Sequence, residues 1–252
     1  MTIVLKLGGS VITEKDRPET LDGRALDETA DAIAEALADG TVEDIVLVHG
    51  GGSFGHHHAN EFGVSTTAGS HAVDAVHAIH GAMTTLNRFV LQRLLDRDVP
   101  AVPVAPFSAA YRSGDGALTL PTGQVETLLG EGFVPVLHGD IVAHVGAGVT
   151  VVSGDELVVE LADRLGADRV GLCSAVPGVL DGNDAVIERI ESHEDVASVL
   201  GDSDTTDVTG GMSSKVRALL ALDGPASIFD LDGLTAFLAG ERPGTTVDGE
   251  RQ

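Results

Sequence analysis

Two short apolar runs that each end in a glycine-rich turn constrain this chain more than any other feature. Residues 3–7 (IVLKL) read as a buried strand running into Gly8-Gly9-Ser10, and residues 45–48 (IVLV) as a second running into His49-Gly50-Gly51-Gly52. Runs that are apolar almost throughout belong to strands covered on both faces, which is how parallel sheets pack. The covering helices are legible too. Residues 25–38 place Leu26, Ala30, Ile33 and Leu37 on one face, and 72–95 bring Val73, Val76, Met83, Leu86, Val90 and Leu94 near one stripe.

Further strands are expected at 101–105, 134–137, 170–173 and 226–229, the last followed by a short helix that closes the chain. Hairpins are expected at 111–119 and 141–152, turning at Gly114-Asp115-Gly116 and Gly146-Ala147-Gly148. A short helix is expected at 124–129, another capped by Asp155 and ending near Gly166, and a third carrying Lys215 after Gly210-Gly211. The fold class is therefore α/β: an open, largely parallel twisted sheet with helices on both faces. With 252 residues, 43% of them hydrophobic, the chain suits one large domain or two tightly joined lobes.

The formal charge of −24, from 39 acidic and 15 basic residues, makes nucleic acid and anionic membranes poor partners. Such broad acidity suits a protein working in molar salt, where self-repulsion is screened, and thermal stability is expected to rise with KCl. No apolar run is long enough to span a bilayer, the sequence opens directly on a strand with no leader pattern, and the single cysteine, Cys173, forms no internal disulfide; a cytoplasmic protein is expected. Cys173 itself reads as a small buried hydrophobe.

Twelve arginines stand against three lysines, Lys6, Lys15 and Lys215. A chain that avoids lysine on its surface keeps these for specific uses, and Lys6 and Lys215 border glycine-rich segments. Residues without a Cβ let backbone N–H groups approach phosphate oxygens, so two such loops could grip the ends of one phosphate chain while lysines neutralise it. Gly50, Gly52 and Gly55 also match the dinucleotide fingerprint G-x-G-x-x-G. That reading wants a long helix starting at once, where residues 54–60 carry three histidines, and it leaves the first loop and its lysine unused. No Walker A sequence is present.

Taken together, KLGGS at 6–10, HGGGSFGH at 49–56, SGD at 153–155 and DVTGGM at 207–212 followed by Lys215 resemble the amino-acid-kinase superfamily, most closely the archaeal isopentenyl phosphate kinase family within it. The resemblance covers nearly the whole chain and rests on four motifs in order. It implies one αβα domain over 1–252, with an acceptor-side lobe near 1–165 and a nucleotide-side lobe near 166–252. It implies ATP with Mg²⁺ as the phosphoryl donor, a small-molecule isoprenoid monophosphate as acceptor, and a homodimer. His56, Lys6 and Lys15 would be catalytic. Lys6, Leu7, Gly8, Gly9, Ser10, Gly52, Ala175, Gly178, Gly211 and Lys215 would bind ATP. Gly51, His56 and Gly154 would bind the acceptor, joined by Ile79 and Met83 from the long helix. One segment departs from the pattern: 174–180 reads SAVPGVL where many members have T-D-V-D-G-[IV]-[YF].

Such an acceptor is already ionised near neutral pH, so it needs a cation or donor against repulsion rather than a strong base. His56 suits that task. The run His56-His57-His58 also invites a metal. Adjacent residues rarely ligate one ion together, and no cysteine or carboxylate cluster stands at ligand spacing, so no protein-bound metal is expected. His77 and His80 read as a polar strip beside the acceptor or plain surface. The competing readings are a sister kinase acting on a carboxylate, carbamate or nucleoside monophosphate, an NAD(P)-binding oxidoreductase, and a non-catalytic nucleotide-binding regulator.

Overall fold

The computed structural model describes residues 1–196 and 211–249. Residues 207–210 of the DVTGGM segment, and the C-terminal residues 250–252, lie outside them. The strands are β1 (Thr2–Leu7), β2 (Asp44–His49), β3 (Ala101–Pro103), β4 (Tyr111–Arg112), β5 (Leu118–Thr119), β6 (Val134–His138), β7 (Asp140–His144), β8 (Gly148–Val152), β9 (Arg169–Cys173), β10 (Arg189–Ile190), β11 (Ala226–Phe229) and β12 (Thr245–Val247). The helices are α1 (Gly9–Ile12), α2 (Gly23–Ala38), α3 (Gly52–Glu61), α4 (Val73–Leu95), α5 (Gly123–Gly130), α6 (Gly154–Leu165), α7 (Gly211–Leu220) and α8 (Leu234–Leu238).

Eight strands form one sheet in the order β10-β12-β11-β9-β1-β2-β6-β3, and four form a smaller sheet in the order β5-β4-β7-β8. Every pairing in the large sheet is parallel except β11 with β12. Strand β1 shows why both faces are covered. Ile3, Leu5 and Leu7 join the core under α2, α4 and α8, while Val4 joins the core under α6 and α7. Lys6 falls on this second face at the strand's last turn, which points it toward α6. Helix α2 starts on Asp22, whose side chain accepts from the Ala25 N–H at 3.0 Å, and buries Leu26, Ala30 and Ile33 as the periodicity requires.

Several expectations need correction. Residues 52–61 form a helix, α3, although half of them are glycine or histidine; packing against α4 outweighs weak propensity. Asp155 is not the cap of α6. Ser153 and Glu156 form a reciprocal capping box there, which frees the Asp155 side chain for other contacts. The strand at 101–105 is only three residues, because Pro103 ends it at the sheet edge and Pro106 opens a 3-10 turn. The strand at 226–229 is not the last, since β12 follows the short helix and inserts antiparallel beside it. Val73, placed on the buried stripe of α4, is 66% exposed. Among the described residues no helix is long and apolar enough to cross a membrane.

Candidate active site

The hydrogen-bond ladder of the large sheet runs one step past the strands. Gly8 N–H donates to Cys173 O at 2.8 Å, Gly50 N–H to Leu7 O at 2.9 Å, and Gly139 N–H to His49 O at 2.9 Å. Both glycine loops are thereby fixed side by side at the carboxyl ends of the strands, where open α/β sheets bind ligands. They touch directly: a Cβ on Gly9 would lie 2.1 Å from Gly52 N. Glycine is required here by the approach of one backbone to another, which also explains the match to the dinucleotide fingerprint without a dinucleotide.

A cavity of about 650 Å³ opens over these loops, within the range of small-molecule sites. Lys6, Lys15 and Lys215, far apart in sequence, all line it, together with Gly8, Gly9, Ser10, Gly51, Gly52 and Gly154. Lys6 Nζ donates to Asp155 Oδ1 at 2.6 Å, with side chains only 7% and 10% exposed. Sequence reasoning missed this partner of Lys6; the two are 149 positions apart. A Cβ on Gly154 would come within 3.0 Å of Lys6 Cε, so Gly154 gives the lysine stem its passage.

Helix α3 forms the opposite wall. Gly55 lies under the Met83 thioether, 2.7 Å from where its Cβ would be, and Met83 and Ile79 of α4 both reach the cavity from the core. Ser53 N–H is taken by Thr13 Oγ1 at 2.9 Å. His56 is half-buried and lines the cavity, as does the exposed His57. His58 turns away, its Nε2 2.6 Å from Glu19 Oε1 and its Nδ1 3.5 Å from Glu61 Oε2. Carboxylates therefore do stand at ligand spacing, contrary to the expectation. Ligand atoms of His57, His58 and Glu61 lie within 4.8 Å of one another, although His57 and Glu61 are exposed and Glu19 already engages His58.

A second group of histidines, buried beneath the cavity, was not recognised in the sequence. His49 ends β2 and His138 ends β6, their rings 5.4 Å apart. Burial, aided by His138, pushes the His49 pKa down to about 3, and burial also lowers that of His138. Both are neutral at physiological pH. His80 on α4 behaves oppositely: its bond to Asp140 at 2.8 Å raises its pKa against partial burial. His80, its side chain 32% exposed, is held beside the cavity by Asp140, whose side chain is fully buried and lines it, while His77 is exposed. The Cys173 thiol is pushed up to about 12 by burial, which keeps it protonated and inert.

Not every expected residue reaches the cavity. The Leu7 side chain lies in the core. Ala175 lines a smaller neighbouring cavity with Ser174 and residues 230–232. Gly178 packs against β12, where a Cβ would lie 2.6 Å from Thr245 Oγ1, so its glycine answers to chain packing. Gly211 opens α7 at φ +63° and sets the direction of the helix that carries Lys215.

Comparison with known proteins places this arrangement. The family model described as "Amino acid kinase family" matches residues 1–222. An isopentenyl phosphate kinase of Haloferax volcanii is 59% identical over 98% of this chain and 99% of its own length. That of Methanocaldococcus jannaschii is 32% identical with the same coverage. A crystal structure of an isopentenyl phosphate kinase superposes with a TM-score of 0.82 at 28% identity, covering 98% of this chain and 99% of that one. The kinase assignment removes the oxidoreductase reading, and the cavity with its three lysines and paired glycine loops agrees with it: this chain belongs to the amino acid kinase family and, within it, to the isopentenyl phosphate kinases.

Proposed function

We propose that this protein transfers the γ-phosphoryl group of ATP to isopentenyl phosphate, giving isopentenyl diphosphate. The observation that carries the reading is the gathering of Lys6, Lys15 and Lys215 with His56 around one cavity floored by paired glycine loops. Phosphoryl transfer asks a protein mainly to position two anions and offset their charge. The residues suit a triphosphate: Gly8, Gly9 and Ser10 of the first loop, Gly51 and Gly52 of the second, and three lysines all line the one cavity.

In this reading Lys6 and Lys215 hold the β and γ phosphates, and Lys15 reaches the group in transit. Asp155 keeps Lys6 extended into the cavity rather than folded onto the sheet. Gly51 and Gly52 turn their N–H groups to the phosphates, and His56 donates a hydrogen bond to the acceptor phosphate. Ile79 and Met83 present an apolar surface to the five-carbon chain. Mg²⁺ brought with ATP would supply further charge neutralisation at the phosphates beside Lys6, Lys15 and Lys215. The neutral His49 and His138 add no charge to the floor. The acceptor half of the site falls largely within 1–165 and the nucleotide half within 166–252, with Lys6 and the first loop shared between them.

Two further readings belong here. A homodimer is supported by Phe89 and Leu95 on α4 and Phe133 before β6, large apolar side chains 41%, 51% and 42% exposed. Light scattering after gel filtration measures it. A cytoplasmic location is supported by the unpaired, buried Cys173.

The test is an acceptor panel with ATP. Isopentenyl phosphate should exceed N-acetylglutamate, carbamate and nucleoside monophosphates in kcat/KM by at least about 100-fold, the scale on which a hydrophobic pocket discriminates shape. Turnover of a carboxylate acceptor at a comparable rate would replace this reading with that of a sister kinase.

A further inference from the structure

We infer that His58 is a positioning residue: through Glu19 it fixes the hairpin that carries Lys15. The inference rests on the role proposed above for Lys15 and adds the device that holds it in place.

Lys15 sits at the tip of a tight excursion between α1 and α2. Thr13 and Leu21 form an antiparallel bridge at its base, and Glu14 N–H donates to Thr20 O at 2.9 Å. The tip itself is exposed, and Lys15 and Pro18 line the cavity from it. A long, solvated lysine takes its reach from the backbone beneath it. What fixes that backbone is therefore what fixes the ammonium.

The returning arm of the hairpin docks on α3. Glu19 N–H donates to Ser53 O at 3.3 Å, and Thr20 N–H to Ser53 Oγ at 3.3 Å. Both are long bonds. The shortest link is from the side chains: His58 Nε2 to Glu19 Oε1 at 2.6 Å. Glu19 also occupies the left-handed region, at φ +47°, which a residue with a Cβ holds only when its surroundings over-determine it. His58 lies two positions after His56 on the same helix. One rigid element thus carries the acceptor-side histidine and anchors the loop that presents the transferring-group lysine, so the two approach the reaction from a common frame.

A partly exposed hydrogen bond between side chains 18% and 47% exposed adds little to global stability. A purely structural role therefore predicts almost nothing on its loss, whereas a positioning role predicts a defect in kcat. Glu19→Gly makes a useful probe, since glycine accepts the left-handed backbone while the side chain and its carboxylate are lost. His58→Gln keeps a donor near the Nε2 position and serves as the rescue.

The experiment measures kcat, both KM values and Tm for wild type, His58→Ala, His58→Gln, Glu19→Gly, Lys15→Ala and the double variant Lys15→Ala/His58→Ala, with ATP and isopentenyl phosphate. His58→Ala and Glu19→Gly should each lose about tenfold in kcat with KM changed by less than about threefold, and Tm should hold. His58→Gln should recover to within about threefold of wild type. In the Lys15→Ala background, loss of His58 should change kcat by less than about twofold, because the group it positions is gone. Wild-type rates in His58→Ala and Glu19→Gly, with Lys15→Ala impaired, overturn the clamp alone. A His58→Ala defect that persists in full without Lys15 also overturns it. A wild-type rate in Lys15→Ala overturns the role of Lys15 and the clamp together.

Discussion

The cavity has two walls of different construction. The floor, at the ends of β1, β2 and β6, is made of polar groups that are buried and answered inside the protein: Lys6 by Asp155, His49 by Asn87, and Asp140 by His80 and the Ile141 N–H. The facing wall, α3 with the hairpin at 13–21, carries His56, His57 and Lys15, all reaching solvent or the cavity edge. The difference teaches that the same residue type serves structure or chemistry according to burial. Loss of a floor group leaves a partner stranded and should cost stability first; loss of His56 or Lys15 from the wall should cost activity and leave the fold alone.

The sharpest way to break this contrast is Lys6→Met. It strands the Asp155 carboxylate and should cost about 3–5 kcal/mol of stability as well as activity, read by denaturant unfolding. A stable but inactive Lys6→Met would place Lys6 with the wall. Next comes Met83→Ala, since Met83 belongs to the core and to the cavity at once. We expect a loss of about 2–4 kcal/mol and a kcat/KM ratio shifted from five-carbon toward ten-carbon monophosphates. Loss of stability with an unchanged ratio would make Met83 core only and return the apolar pocket to residues 134–152.

The histidines of the floor separate by the sign of their pH response. Because folding lowers the pKa of His49, its contribution is full above the ordinary value near ~6.5 and is lost as pH falls toward about 3. Between pH 7 and 5 that loss is about 2 kcal/mol, and His49→Gln should remove it from the pH profile of unfolding. The raised pKa of His80 works in the opposite direction. Its bond to Asp140 stabilises fully below ~6.5 and is lost as pH rises through the folded value, so His80→Asn should flatten the alkaline side, by less than about 1 kcal/mol. Equal slopes in wild type and both variants would mean that neither ring differs from an exposed histidine.

The glycine loops and the wall were more legible in the sequence than the buried pairs of the floor. Gly8-Gly9, the run from Gly50 to Gly55, and His56 announce themselves because their signal is local: glycines at the ends of two apolar strands, and a histidine one turn on. The central strands β1, β2, β6, β9 and β11 were equally plain, since they are buried and nearly all apolar. The floor was hidden because its pairs are remote in sequence. Lys6 meets Asp155 across 149 positions and His80 meets Asp140 across 60, and no periodicity records such contacts. Helix α3 escaped because glycine and histidine carry weak propensity, and β12 because three residues, Thr245–Val247, make no pattern. Gly178, expected at the nucleotide from the family loop, also makes room for Thr245.

The most direct test of the account is product formation from ATP and isopentenyl phosphate by wild type, His56→Ala and His57→Ala, followed by ³¹P NMR and steady-state kinetics. We predict isopentenyl diphosphate from wild type, a loss in kcat/KM of at least about 30-fold for His56→Ala, equivalent to about 2 kcal/mol, and less than about threefold for His57→Ala, with Tm unchanged in both. Absence of the diphosphate product, or equal losses at His56 and His57, would contradict it.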